Sequence, residues 1–311
     1  MMSIDLKTAP AATILTDEKP GVASALASVG IRRRRTWPRL NRLTVSLAML
    51  GAIILLGILA PALAPHDPDR VSMLARSAPP VWMEGGTWKH LLGTDQIGRD
   101  LLSRVMWGIR TSFGIAVFGL IFSAVLGIGL GVVSGVVGGW FDRFAMMLVD
   151  VFITLPNLLL ILCGIALLGT DTWVLVVMIG LVRWEAYARL VRGQVLYLRE
   201  LGYVEASRVL GGGPGWIILR HILPNLISPT LVMITLSFPG VLLMEAGLSF
   251  LGVGVQPPTA SLGRMIGDGR DHLVNAWWIA LVPSMVVVLI TLAFQIAGDA
   301  LRDRMDELHN G

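Results

Sequence analysis

EAYARLVRGQVLYLRELGYVEASRVLGGGPGWIILRHILPN, residues 185–225, lies between long apolar runs, yet it carries Arg189, Arg192, Arg199, Arg208 and Arg220, three glutamates, a glycine triplet, two prolines and a histidine. A segment this polar does not cross a bilayer, because each charge and each unpaired backbone group would cost several kcal/mol in lipid. It therefore sits in water on one side of a membrane, and the runs around it read as membrane helices. Composition agrees. Of 311 residues, 54% are hydrophobic and 15% charged, against about 25% charged in soluble domains, and the mean hydropathy is +0.72.

Working outward, six apolar runs are long enough to be spans. The first, 43–64, has no charge, and its 22 residues reach about 33 Å as helix, enough for a hydrocarbon core of about 30 Å. The others cover about 113–139, 144–168, 172–190, 226–243 and 277–298. Pro156 should kink the third. Arg183 and Glu185 end the fourth and should snorkel or pair with neighbours. Pro229 and Pro239 argue against a straight fifth, and Trp277-Trp278 open the sixth as interfacial anchors. Gly127, Gly131 and Gly135 in the second, with Gly129 between them, have the four-residue spacing that lets another helix approach closely.

The expected architecture is all-α and polytopic, with six transmembrane helices. Its parts are a cytoplasmic tail at 1–42, the first helix at 43–64, an external loop with an amphipathic segment at 65–110, a five-helix core at 111–300 that holds the polar loop 191–225, and a short cytoplasmic tail at 301–311. Residues 1–30 lack sustained periodicity and an apolar signal-peptide core, so they read as disordered. Arg32 to Arg35, directly before a span, fix orientation rather than bind nucleic acid. With that leader inside, the inner segments hold 16 Lys/Arg and the outer ones 8, which puts both termini and the polar loop in the cytoplasm.

Catalytic chemistry is not indicated. The chain has no GxxxxGK[ST] and no HExxH, and Cys163 is the single cysteine. The five histidines are scattered in sequence, so no metal site is expected. Glu245 stands about twenty helical residues from Asn225, near the far interface. A structural carboxylate with a local partner is the favoured reading there, and a proton relay the alternative.

Inside the polar loop, Val204, Val209 and Leu210 can share an apolar stripe, and Glu205 and Arg208 are spaced as an i,i+3 pair. Gly211-Gly212-Gly213-Pro214 should break the helix, and a second segment, Trp216–Leu223, leads to Pro224 and the membrane. Physics alone weighs two uses of this elbow evenly: docking into a partner's groove, or closing the loop at the interface.

At this point the chain resembles a family, the inner-membrane permeases of ATP-binding-cassette importers fed by a solute-binding protein. The family signature is Glu-Ala-Ala, three residues, Gly, nine residues, Ile-x-Leu-Pro. It is matched here by Glu205-Ala206-Ser207, Gly211 and Leu223-Pro224, with Ser207 for Ala and His221 for Ile. Further motifs look like the dipeptide/oligopeptide/nickel subfamily, C-type subunit. These are Leu92-Gly93-Thr94-Asp95 with Gly98-Arg99-Asp100 and Ser103-Arg104, Asp142 with Met146, Asp150 through Pro156, Glu245-Ala246-Gly247-Leu248-Ser249, and Gly298-Asp299 with Leu301-Arg302-Asp303. Leu262 and Gln295 stand where that subfamily has Trp and Asn.

The resemblance implies a type I importer permease without catalytic residues, cofactor or metal. Its partners would be a second, non-identical permease, two ATPase subunits that bind the ATP and magnesium, an external solute-binding protein and the lipid bilayer, with no nucleic acid. Tyr203, Glu205, Ala206, Ser207, Gly211, Leu223 and Pro224 would belong to the coupling helix seated on an ATPase. Gly93, Thr94, Asp95, Gly98, Arg99, Asp100, Glu245, Gly247, Asp299 and Arg302 would be structural motif positions. Di- or oligopeptides are the leading substrates, with nickel or a metal chelate and glutathione as alternatives. An ion-coupled secondary carrier is the rival of a different class, and would need charged spans or repeated half-sites.

Overall fold

The computed structural model describes residues 39–310, with side chains over 43–305. Residues 1–38 of the expected tail, with the four-arginine cluster, lie outside the described residues, and its last four residues already belong to the first helix. Among those described, every regular element is helical, and one isolated bridge pairs Thr94 with Asp100. The main helices are α1 (Arg39–Ile58), α2 (Leu101–Val137), α3 (Gly139–Thr154), α4 (Asn157–Leu168), α5 (Thr172–Arg199), α6 (Gly202–Val209), α7 (Pro214–Ile217), α8 (Leu223–Phe250), α9 (Leu262–Gly269) and α10 (Trp278–Asn310). A single π turn, Ile218–Ile222, joins α7 to α8, so the two run on as one helix from Pro214 to Phe250.

Three of these helices are long and apolar enough to cross a membrane: α2, the α7–α8 run and α10. The pair α3 and α4 adds a fourth if it is taken as one span. The chain is thus an all-α polytopic membrane protein. The expected kink at Pro156 is a full break: α3 ends at Thr154, α4 starts at Asn157, and the two are bent by 94°. The amphipathic segment 101–110 is not separate from the second apolar run but forms its first turns, because Asp100 caps one continuous helix that starts at Leu101. Likewise α5 runs nine residues past the expected end of its span, to Arg199, and α10 continues through Asn310 where a polar tail was expected.

The centre of the fold is the α2–α5 pair. A Cβ on Gly127 would come within 2.4 Å of the Trp184 carbonyl oxygen, one on Gly131 within 2.7 Å of that of Ala188, and one on Gly135 within 2.7 Å of a Val195 methyl. Only glycine lets the backbones approach this far, and close approach is how membrane helices gain contact where lipid supplies no hydrophobic drive. Gly129 faces open space and takes no part. Glu185 corrects the snorkelling expectation, since it is buried within the bundle on the same helix turn as Trp184 and Tyr187. The largest hydrophobic cluster joins α2, α5, α8, α9 and α10, with Phe238 and Phe294 stacked at 3.8 Å between ring centroids.

Candidate functional site

The elbow 200–224 is built outward from the end of α5. Arg192 grips Asp142 at the start of α3 (Nη2 to Oδ2, 2.6 Å), and the Ser134 hydroxyl donates to the same carboxylate. Arg199 donates to the carbonyls of Gly135 and Val136, which close the C-terminal end of α2. A cation on those otherwise unpaired carbonyls also suits the negative end of the helix dipole. These contacts tie the ends of α2, α3 and α5 together.

On that base α6 lays Val204, fully buried, against Val191, Val195 and Leu198 of α5, with Ile217, Ile222 and Leu226 completing the cluster. Leu223 packs at its edge. Gly211 then ends α6 in the left-handed region at φ +91°. Its N–H bonds to the Arg208 carbonyl and that of Gly212 to the Ser207 carbonyl, the double closure of a Schellman cap. No other atom lies within 4 Å of where a Gly211 Cβ would be. The demand for glycine within the chain is therefore conformational.

The stripe expected from Val204, Val209 and Leu210 does not form. Val204 points inward, while Val209 and Leu210 are 82% and 87% exposed. Trp216, Leu219 and Tyr203 are also exposed, so both arms of the elbow carry exposed apolar side chains, alongside exposed Glu205, Arg208 and Arg220. Glu205 and Ala206 are exposed and Ser207 is half-buried. Glu205 and Arg208 form no ion pair, since both point to solvent. Pro224 stays in the helix because the π turn precedes it: the Leu223 N–H bonds five residues back, to the Ile218 carbonyl.

In the sequence, His221 stands out only as a departure from a motif. In the fold its ring lies between Tyr203 and Trp216, both edge-on at 5.5 and 5.0 Å between centroids. The Asn225 side chain donates to the His221 carbonyl at 2.6 Å. This aromatic clasp holds the two arms of the elbow together. No periodicity rule reveals it, because Tyr203 lies across the glycine break from Trp216 and His221.

The other group of motif residues lies at the far end of the same helices. From Asp100 to Gly135 is about 50 Å of helix, and from Asn225 to Glu245 about 30 Å. Here the loop 65–100 is folded onto the start of α2. Gly93 and Gly98 make left-handed turns at φ +80° and +82°. Asp95 accepts from the backbone N–H groups of Ile97 and Arg99 and from Arg99 Nε at 2.6 Å, with Arg104 Nε at 3.6 Å. The Gly93-Thr94-Asp95 turn does not supply the helix cap. Asp100 does, accepting from the Ser103 N–H at 2.9 Å and its hydroxyl at 2.7 Å. The indole of Trp278 donates to the Thr94 carbonyl, which fixes the loop to α10.

Glu245 is fully buried and accepts from the Ser249 hydroxyl at 2.8 Å. Among the described residues no cation pairs with it. Gly247, two residues on, has open space around it, whereas Gly263 of α9 presses on the Ala246 backbone. At the other end of α10, Asp299 accepts from Gln295 at 3.3 Å, and Arg302 is exposed. The scattering of the histidines fails at one place, where His66 and His90 meet beside Asp100.

Residues 127–307, more than half of the chain and the whole elbow with it, match the family of binding-protein-dependent transport system inner membrane components. The chain belongs to this family. Residues 41–80 of the permease match a second family, the N-terminal TM domain of oligopeptide transport permease C. The permease is 39% identical to the di/tripeptide transport system permease protein DppC of Pseudomonas aeruginosa over 254 residues, 82% of this chain and 84% of that one. It is 36% identical to the dipeptide transport system permease protein DppC of Haemophilus influenzae over 262 residues, 84% and 89%. A putative peptide permease protein of Brucella suis is 38% identical over 269 residues, 86% and 87%. Family membership makes the permease a non-catalytic transport subunit of the inner membrane.

Proposed function

We propose that this permease carries di- or oligopeptides across the inner membrane by alternating access, driven by ATPase subunits that dock on the elbow. One observation carries the docking. Val209, Leu210, Trp216 and Leu219 expose an apolar surface on a segment whose charges keep it in water. Exposed leucines on α2, α8 or α10 have lipid to face, but those on the elbow do not. Such a patch marks a protein contact, and Val204, the Gly211 cap and the His221 clasp hold it rigidly on α5 and α8. The ends of α2, α3 and α5 are locked to one another at its base by Asp142, Arg192 and Arg199, so a push on the elbow moves these helices as a body.

In the same reading the permease has six crossings with both termini in the cytoplasm. The first is α1 and its extension through Leu63, the third is the broken α3–α4 pair, and the fourth is α5 with its charges turned to the bundle or to its cytoplasmic end. A second, non-identical permease faces it, two ATPases bind ATP and magnesium below, and a binding protein delivers solute from outside. Peptide as the solute is supported by the names of the relatives. A metal chelate or glutathione would use the same machine.

Two measurements test this. In mild detergent the permease should co-purify with an ATPase subunit and a second permease, and reconstituted complex should take up labelled dipeptide only with ATP and binding protein. A cysteine at Leu210 that crosslinks to no ATPase subunit, in a complex still active in uptake, would overturn the docking. Uptake of chelate but not peptide would overturn the substrate alone.

A further inference from the structure

We propose that His66, His90 and Asp100 form a binding site for a divalent transition-metal ion of the zinc class. The three offer one ligand atom each, and these atoms lie within 4.8 Å of one another. His90 Nδ1 is 2.9 Å and His66 Nδ1 3.8 Å from the same oxygen, Asp100 Oδ1. The imidazole rings are 4.9 Å apart between centroids. Two ligand atoms on one zinc ion, each about 2.0–2.2 Å from it, are separated by about 3.3 Å in tetrahedral geometry. The two separations from Asp100 Oδ1 bracket that value, and the third lies within 4.8 Å.

The arrangement is hard to explain as a hydrogen-bonded staple alone. Only one histidine, His90, lies within hydrogen-bonding distance of Asp100 Oδ1. The second brings a buried Nδ1 that has no hydrogen-bond partner, and an unpaired buried polar atom costs about 1–3 kcal/mol. Asp100 is also divided in a way that suits a metal. Its Oδ2 takes both hydrogen bonds from Ser103 and caps α2, while Oδ1 faces the two histidines. An ion on Oδ1 leaves the helix cap intact. Ser103 supports the site from behind, since its hydroxyl also accepts from the His66 backbone N–H at 3.1 Å. Ligands held by such outer partners bind metals 10–100-fold more tightly, on the order of magnitude.

Two imidazoles and one carboxylate select zinc, cobalt, nickel or copper over calcium or magnesium, which take all-oxygen sets. Three protein ligands leave a fourth position for water. The His66 side chain is 26% exposed and so gives the ion a way in, whereas the Asp100 side chain is 2% exposed. The bound ion ties the turn at His66 and the loop at His90 to the first residue of the α2 cap. The site lies outside every span and does not depend on which solute the permease carries.

The test uses the full-length chain, purified in detergent with an affinity tag that contains no histidine and stripped with chelator. Zinc is added at micromolar concentration, bound metal is measured by elemental analysis, and cobalt is used as an optical probe. One ion per chain is expected, with the cobalt bands of a low-coordinate nitrogen–oxygen site and a higher melting temperature in zinc than in chelator. His66→Ala should weaken zinc binding at least about hundredfold, beyond the loss of an outer partner, and should melt in chelator like the unsubstituted chain. His272→Ala should change nothing. Failure of the stripped chain to bind zinc or give the cobalt bands would overturn the proposal without any variant. So would unchanged binding by His66→Ala.

Discussion

The two ends of this permease solve opposite problems with the same kinds of residue. At the His90–Arg104 end, charges are buried and the chain satisfies them itself: Asp95, Arg99, Asp100 and Arg104 are nearly inaccessible, and every one has a partner within the loop or α2. At the elbow, apolar side chains are exposed and the chain leaves them uncovered: Val209, Leu210 and Leu219 are mostly exposed, and Trp216 about half. One end pairs its buried charges within the single chain, while the other leaves apolar side chains uncovered. Mutations at the first end should therefore be felt as stability, and those at the second as transport.

The sharpest way to break that contrast is Gly211→Asp. A residue with a Cβ resists φ +91°, and the new charge would sit beside the exposed apolar patch. ATP-driven uptake should vanish while membrane insertion and the melting temperature in detergent change little. Normal uptake by this variant would remove the basis for docking. Next in size, Asp95→Ala should leave Arg99 and Arg104 without their buried acceptor and cost about 3–5 kcal/mol of stability. The check is chemical unfolding of the purified chain, and a loss below about 1 kcal/mol would mean that the loop is not self-contained.

Gly131→Ala tests the region between the two ends. Its Cβ would meet the Ala188 carbonyl at 2.7 Å, so α2 and α5 must separate, at a cost of about 1–3 kcal/mol. Gly129→Ala, on the open side of the same helix, is the control and should be neutral or slightly stabilising. The smallest expected stability effect comes from Leu210→Ser, within about 0.5 kcal/mol because the side chain is exposed. Its uptake should still fall several-fold. Unchanged uptake there would shift the contact surface to Trp216 and Leu219.

Much of this molecule is legible in its order of residues alone. The polar interval between apolar runs, the break at Gly211, the four-residue glycine spacing and the succession of motifs all follow from short-range rules. What is not legible depends on contacts between distant segments. A helical pattern cannot say that Val204 turns inward while Val209 turns out, because that choice is made by Val191 and Val195 on another helix. Nor can spacing say that His66 and His90, twenty-four residues apart, converge on the residue that caps α2, since a turn-rich loop has no period to extrapolate. The bend at Pro156 is visible as a proline, but its size is not, because a kink becomes a break only when the residue before it also leaves helical geometry, as Leu155 does at ψ 137°.

The unbroken run from Pro214 to Phe250 has a mechanical consequence. At 1.5 Å per residue its 37 residues follow about 55 Å of helix, with Pro229 and Pro239 inside it and a short handle in the elbow. Tilting the handle by about 5° swings the opposite tip through about 5 Å, roughly the spacing between neighbouring strands of peptide backbone. On the docking proposed above, small strokes at the handle are thus geared up to larger displacements at the other end of this helix.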